Sequence, residues 1–251
     1  MKIDTLLSPA ELPALAHRDL RGSACVVFDI LRATSTFVTA LNNGAEAIIP
    51  VSEINEALAI RKNFPGIMLA GEREGRRIYA AQACGVDFDF GNSPREFVPK
   101  KIASKTIVST TTNGTRALRA CLGAKIILAS SFLNLAATAH FLNQSGAEEI
   151  LLVCAGTGTG VALEDVLAAG ALAELLAAHA DVRPTVSDSA EIALRAFMHA
   201  QADLPAALAG SQNARRLLAI PELRDDVAFC SQRDIFNLVA EMKPDGIIRR
   251  G

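Results

Sequence analysis

At 251 residues, half of them hydrophobic and with no Pro-, Ser- or charge-rich linker, the chain is expected to form a single domain over residues 1–251. Its 25 Lys plus Arg stand against 27 Asp plus Glu with no block of like charge, which excludes a basic field for nucleic acid or anionic lipid and leaves any anion to a local arrangement. Apolar runs are short, or interrupted by Glu174 and His179, so none reads as a membrane span, and Met1-Lys2-Ile3-Asp4-Thr5 lacks the apolar stretch of a signal peptide; a cytoplasmic protein is expected.

The first strong strand signal is Cys25-Val26-Val27-Phe28, which runs into Asp29-Ile30-Leu31-Arg32-Ala33-Thr34. A helix over 34–43 closed by Gly44, a strand over 45–51, a helix over 53–63 and a strand over 67–70 follow, with Asn43-Gly44 and Pro65-Gly66 as helix stops. Residues 74–99 break this rhythm as a polar, Gly-punctuated excursion, expected to serve as a lid or binding loop. The rhythm resumes with a strand over 106–109 and helix over 115–121, a strand over 125–129 and helix over 133–143, and a strand over 149–155 and helix over 163–178. Six strands alternating with helices predict a mostly parallel sheet with helices on both faces. The Ala-rich helix 163–178 is apolar nearly all round, which predicts burial on both sides, the second against another subunit of a homodimer. Beyond residue 181 helices are expected over 189–200 and 211–218, and 239–242 with 246–249 reads as a hairpin edging or flanking the sheet.

Four strands end abruptly in small, hydroxylated or charged clusters, and parallel strands would bring these ends to one edge, where open α/β sheets bind ligands. Asp29, with Arg32 and Thr34 after it, offers a metal ligand or nucleophile beside a phosphate-binding cation, although an ion pair and a helix cap would also account for these residues. Leu31 stands where a haloacid-dehalogenase phosphatase needs a second Asp, so that mechanism does not apply. Ser109 to Arg116 carries four consecutive hydroxyls, then Asn113 and Gly114 before a helix, an anion nest with Arg116 as a clamp; helix capping alone would need only Thr112 or Asn113. Gly156-Thr157-Gly158-Thr159-Gly160 precedes Glu164 and Asp165 but is neither a dinucleotide fingerprint, because Val161 replaces the third Gly, nor a Walker loop. Cys154 before that loop lacks the Arg of a Cys-x5-Arg phosphatase, since Gly160 occupies its place. Ser93-Pro94-Arg95-Glu96 and Asp188-Ser189-Ala190-Glu191 read as capping boxes, which leaves Asn92, Arg95, Glu72 and Arg73 unexplained by local structure. The five cysteines form no Cys-x-x-Cys pair and the four histidines are scattered, so carboxylates from several loops point to Mg²⁺ rather than Zn²⁺.

Taken in order, Asp29-Ile-Leu-Arg32-Ala-Thr34, Gly71-Glu72-Arg73-Glu-Gly75, Gly91-Asn92-Ser93-Pro94, Thr111-Thr112-Asn113-Gly114-Thr115, Ser131-Phe132-Leu133-Asn134, Cys154-Ala155-Gly156 with Glu164-Asp165, and Asp225-Asp226-Val227 resemble the 2-phosphosulfolactate phosphatase (ComB) family. The resemblance implies a three-layer α/β/α sandwich around a mostly parallel sheet. It also implies a Mg²⁺-dependent phosphatase that converts (2R)-2-phospho-3-sulfolactate to 3-sulfolactate and phosphate on a route to coenzyme M. On that reading Asp29, Glu72 and Asp165 hold or border the metal, while Arg32 and Arg116 stabilise the transferring phosphoryl group. Thr34, Arg73, Asn92, Arg95, the segment Thr112-Asn113-Gly114-Thr115 and Gly156 bind the small anionic phosphoester. Water attack and an Asp29 phosphoenzyme both stay open as mechanisms, and another small 2-phospho-carboxylate, or non-catalytic anion binding, stay open as functions.

Overall fold

The computed structural model describes residues 1–178 and 184–251; His179 and the first residues after 181 lie outside the described residues. In chain order its strands are β1 (Lys2–Leu6), β2 (Ser23–Phe28), β3 (Ala47–Val51), β4 (Met68–Arg73), β5 (Arg76–Arg77), β6 (Thr106–Thr110), β7 (Ile126–Ser130), β8 (Glu149–Cys154), β9 (Thr185–Val186), β10 (Ala240–Met242) and β11 (Ile248–Arg250). The helices are α1 (Ala33–Asn42), α2 (Ile54–Asn63), α3 (Pro99–Ile102), α4 (Gly114–Ala120), α5 (Leu135–Gln144), α6 (Leu163–Ala178), α7 (Asp188–Ala200), α8 (Leu204–Ala209), α9 (Gln212–Leu218) and α10 (Arg224–Cys230).

All strands join one sheet in the order β5-β4-β6-β3-β11-β10-β7-β2-β8-β1-β9. Every residue of β2 is buried, and the strand pairs in parallel with β7 on one side and β8 on the other, as its uninterrupted apolar run requires. Its side chains alternate between two cores. Cys25 and Val27 enter the core with Phe37, Leu41 and Leu118 of α1 and α4, whereas Ala24, Val26 and Phe28 join Leu142, Leu172 and Phe197 of α5, α6 and α7. Helices therefore cover both faces of the mostly parallel sheet, giving the three-layer α/β/α sandwich.

The C-terminal hairpin, expected at an edge, lies instead in the middle of the sheet, β10 against β7 and β11 against β3. Its charged residues Glu241, Arg249 and Arg250 give it the look of an edge. Ala240, Met242 and Ile248 nevertheless face the core, while Lys243 and Asp245 pair with the charges at Glu241 and Arg249. This insertion divides the sheet into two parallel blocks, β4-β6-β3 and β7-β2-β8-β1-β9. Three successive antiparallel pairings separate them, so the blocks run in opposite directions along the hydrogen-bond ladder. Twist offsets this reversal: at roughly 20–25° per strand, the five steps from β6 to β2 turn the strand direction by about 100–125°. The C-terminal ends of β2, β4, β6 and β8 consequently open into one cavity despite belonging to opposed blocks.

Strand β1 has no counterpart among the expected strands because Lys2 and Asp4 break its apolar pattern. The two charges lie on one face with Arg18 and Glu149, while Ile3 and Thr5 point inward beside β8. The helix α6 is apolar all round because α7 of the same chain covers its outer side. Gly170 permits that approach: a Cβ there would lie 2.1 Å from the Ala193 carbonyl oxygen. Residues 74–99 are packed rather than loose, with Ile78, Ala83 and Phe88 in a core shared with Leu69 and Val108.

Candidate active site

Where the four strand ends meet lies a cavity of about 670 Å³. Asp29 enters it from the end of β2. Its Oδ1 accepts the Ala33 N–H at 3.0 Å, which caps α1, and its other oxygen faces Gly114, where a Cβ would lie 2.6 Å from Oδ2. Glycine at 114 is what lets the end of β6 approach the end of β2 so closely. Burial, together with the charges of Glu72 and Glu164, pushes the Asp29 carboxyl up to about 6, against the opposing Ala33 and Gly114 N–H groups.

Glu72, at the end of β4, is held by three donors. Its Oε1 accepts from both the backbone N–H and the hydroxyl of Thr112 at 2.9 Å, and its Oε2 accepts from Gly75 N–H at 2.7 Å. Arg32 is buried and fixed: one guanidinium nitrogen donates to Asp226 at 2.8 Å and another to the Gly75 carbonyl at 2.5 Å. Asp226 also accepts the Ser93 hydroxyl at 2.6 Å, so Ser93 serves this network rather than the capping box expected of it. Asp188 likewise is not a cap, since the Ser187 hydroxyl accepts the Ala190 N–H. Arg73 donates to the Glu72 carbonyl, the Ser52 carbonyl and the Thr110 hydroxyl.

Of the residues expected at the site, Asp29, Arg32, Glu72, Arg73, Asn92, Thr112, Asn113 and Gly156 line the cavity. Thr34, Gly114, Thr115 and Asp165 stand one layer behind it. Thr34 exchanges hydrogen bonds with the Asp29 backbone, and Thr115 with Thr111. Asn113 spends its side-chain amide on the Gly156 carbonyl at 2.6 Å, bridging the ends of β6 and β8, and leaves the α4 N-terminus uncapped by its side chain. Asp165 accepts Ile30 N–H and Gly156 N–H, one on each oxygen at 2.9 Å, and so ties the ends of β2 and β8 together instead of facing the cavity. Burial and the neighbouring Glu164 and Asp29 hold its carboxyl well above the usual range. Arg95, partly exposed, pairs with Asp225 at 3.1 Å and reaches the buried Asp226 at 3.6 Å, and Arg116 is exposed on α4; neither lines the cavity. The Cys154 thiol is raised well above its ordinary value by burial, which suits a core residue and not a nucleophile.

Sequence reading misses the wall supplied by α9 and the turn after it, where Asn213, Arg216 and Leu217 of the helix and Ile220 beyond its end line the cavity. The i, i+3, i+4 spacing of Asn213, Arg216 and Leu217 was the available signal, since it puts these three on one helix face. Asn213 donates to Glu164 and to Thr157, each at 2.6 Å, while the second oxygen of the buried Glu164 has no partner among the described residues. Among those residues no group of three or more His, Cys, Asp or Glu side chains is close enough to hold a metal ion. Two carboxylates, Asp29 and Glu72, do border the cavity, and Mg²⁺ is commonly held by one or two carboxylates together with substrate phosphate.

The profile of the 2-phosphosulpholactate phosphatase family matches residues 10–245. A protein of Caldanaerobacter subterraneus subsp. tengcongensis described as a probable 2-phosphosulfolactate phosphatase is 38% identical over 238 residues, covering 94% of both chains. Proteins of the same description from Thermotoga petrophila and Carboxydothermus hydrogenoformans are 43% and 34% identical, covering 85% and 100% of this chain and 86% and 95% of their own. The chain belongs to the 2-phosphosulfolactate phosphatase family, whose named activity is that of a phosphoric monoester hydrolase.

Proposed function

We propose that the protein hydrolyses (2R)-2-phospho-3-sulfolactate to 3-sulfolactate and inorganic phosphate with Mg²⁺, on a route to coenzyme M. The observation that carries this reading is the union of Asp29, Glu72, the Thr112–Asn113 backbone and the locked Arg32 at one cavity surface. Arg32, through the N–H donors it keeps beside Asp226 and Gly75, and the Asn113 backbone N–H bind the phosphoryl oxygens and stabilise charge on them as the P–O bond breaks. Asp29 and Glu72 hold Mg²⁺, for which their hard oxygens and mutual repulsion are suited; the unpaired oxygen of Glu164 adds negative charge nearby. When bound, the ion offsets the charge of the phosphate and of the leaving oxygen or activates the attacking water. The side chains of Asp165 and Asn113 position the strand ends without touching substrate.

Phosphate release from 2-phosphosulfolactate, 2-phospholactate and phenyl phosphate, with Mg²⁺ and with a chelator, tests the reading. Mg²⁺-dependent turnover fastest with 2-phosphosulfolactate is expected. No release from any of the three, alongside tight binding of the same anions, would contradict it.

A further inference from the structure

The cavity holds three arginines in different states of engagement. Arg32 is neutralised by buried Asp226 and anchored to Gly75, and Arg73 is tied to Glu72, Ser52 and Thr110. The Arg216 side chain makes no ion pair or hydrogen bond among the described residues, although it lines the same cavity. Its neighbour Arg215 turns away to the Gly210 carbonyl, so freedom of the guanidinium is particular to the cavity-facing position. On the same face of α9, Asn213 is fixed by Glu164 and Thr157, and Leu217 with Ile220 just past the helix end supplies an apolar border. At about 670 Å³ the cavity is far larger than a phosphate group, and both the strand ends and this helix border it.

Resting on the phosphatase reading above, we propose that Arg216 is the specificity determinant of the site, recognising a second anionic group of the substrate, a carboxylate or a sulfonate, while Arg32 takes the phosphate. A free guanidinium presents paired donors that match either oxyanion and gain most when the bound substrate displaces water around them. The protein then selects phosphoesters that carry an anion beyond the phosphate.

Steady-state kinetics of Arg216→Gln with 2-phosphosulfolactate, 2-phospholactate and phenyl phosphate test this, together with calorimetric binding of 3-sulfolactate. The ratio of kcat/KM for the acidic substrates over phenyl phosphate should fall by about 10- to 100-fold, mainly through KM, and 3-sulfolactate affinity should fall alike. Arg216→Lys should restore part of the ratio, and Arg215→Gln should keep all of it. A loss confined to 2-phosphosulfolactate assigns Arg216 to the sulfonate; a loss shared with 2-phospholactate assigns it to the carboxylate. An unchanged ratio and unchanged 3-sulfolactate affinity in Arg216→Gln, in a protein that does turn over, overturns the proposal and leaves the phosphatase reading standing. If the wild type releases no phosphate while Arg216→Gln still weakens 3-sulfolactate binding, the anion site stands and the phosphatase reading falls.

Discussion

Arg32 and Asp226 come from positions 194 residues apart and both are buried; they pair at 2.8 Å, while the partly exposed Arg95 stands farther from Asp226 at 3.6 Å. Removing one partner of such a pair leaves an uncompensated interior charge, which costs about 3–5 kcal/mol. Asp226→Asn is therefore expected to lower unfolding free energy in urea by about that much and to reduce kcat/KM by loosening Arg32. A change below roughly 0.5 kcal/mol, the scale of an ordinary surface substitution, would show that the pair does not carry this burden. Asp29 makes a pH prediction. Its carboxyl keeps its proton to about pH 6 in the folded protein against about 3.9 in an unfolded chain. At this site folding is favoured at low pH, and that contribution is lost as pH rises from about 4 to about 6. The same proton competes with Mg²⁺, so calorimetric Mg²⁺ affinity should fall by up to about tenfold per pH unit below 6 and level off above 7. An affinity flat from pH 5 to 8 would take Asp29 out of the metal site.

At the scale of elements, the contact between α6 and α7 opposes two effects of known size. Replacing a helix-interior glycine by alanine gains up to about 1 kcal/mol in helix propensity. At Gly170 the added Cβ would fall 2.1 Å from the Ala193 carbonyl oxygen and 2.8 Å from Phe197 Cβ, and overpacking of this kind costs about 1–3 kcal/mol. Gly170→Ala is accordingly expected to lower the urea midpoint, and a raised midpoint would mean that the helices can separate without penalty. The same contact explains why the Ala-rich helix misleads when read alone. Periodicity registers that both sides are buried but says nothing about whether the cover is a sister helix or a second subunit. Helix limits were far more legible, and α6 runs over the expected residues, because Glu164 and Asp165 open it with acids suited to the helix N-terminus.

For the whole molecule, the alternation of strands and helices revealed the layers, since one-faced helices and doubly buried strands leave distinct periodicities. It could not reveal that the strands form two opposed blocks, because a three-residue hairpin strand carries almost no periodic signal and its charged residues resemble those of an edge. The loops bearing Asp29, Glu72, Thr112 and Gly156 were legible as strand-end clusters with more polar groups than capping needs. Arg116 and Arg95 were not separable from them by sequence, because a residue's distance from a strand end does not say which way a helix turns it. Asp165 shows a related limit: an acid beside a glycine loop reads as a ligand whether it faces the cavity or, as here, accepts the backbone N–H groups of the loops themselves. The central claim is that strand ends from the two opposed blocks work as one centre, Asp29 from one and Glu72 from the other. A double-mutant cycle of Asp29→Asn and Glu72→Gln, read as kcat/KM for 2-phosphosulfolactate, tests it most directly. If they act as a unit, each single variant should lose on the order of 10³-fold and the double variant little more than either. Losses that multiply in the double variant, or wild-type activity in either single one, would contradict a shared centre.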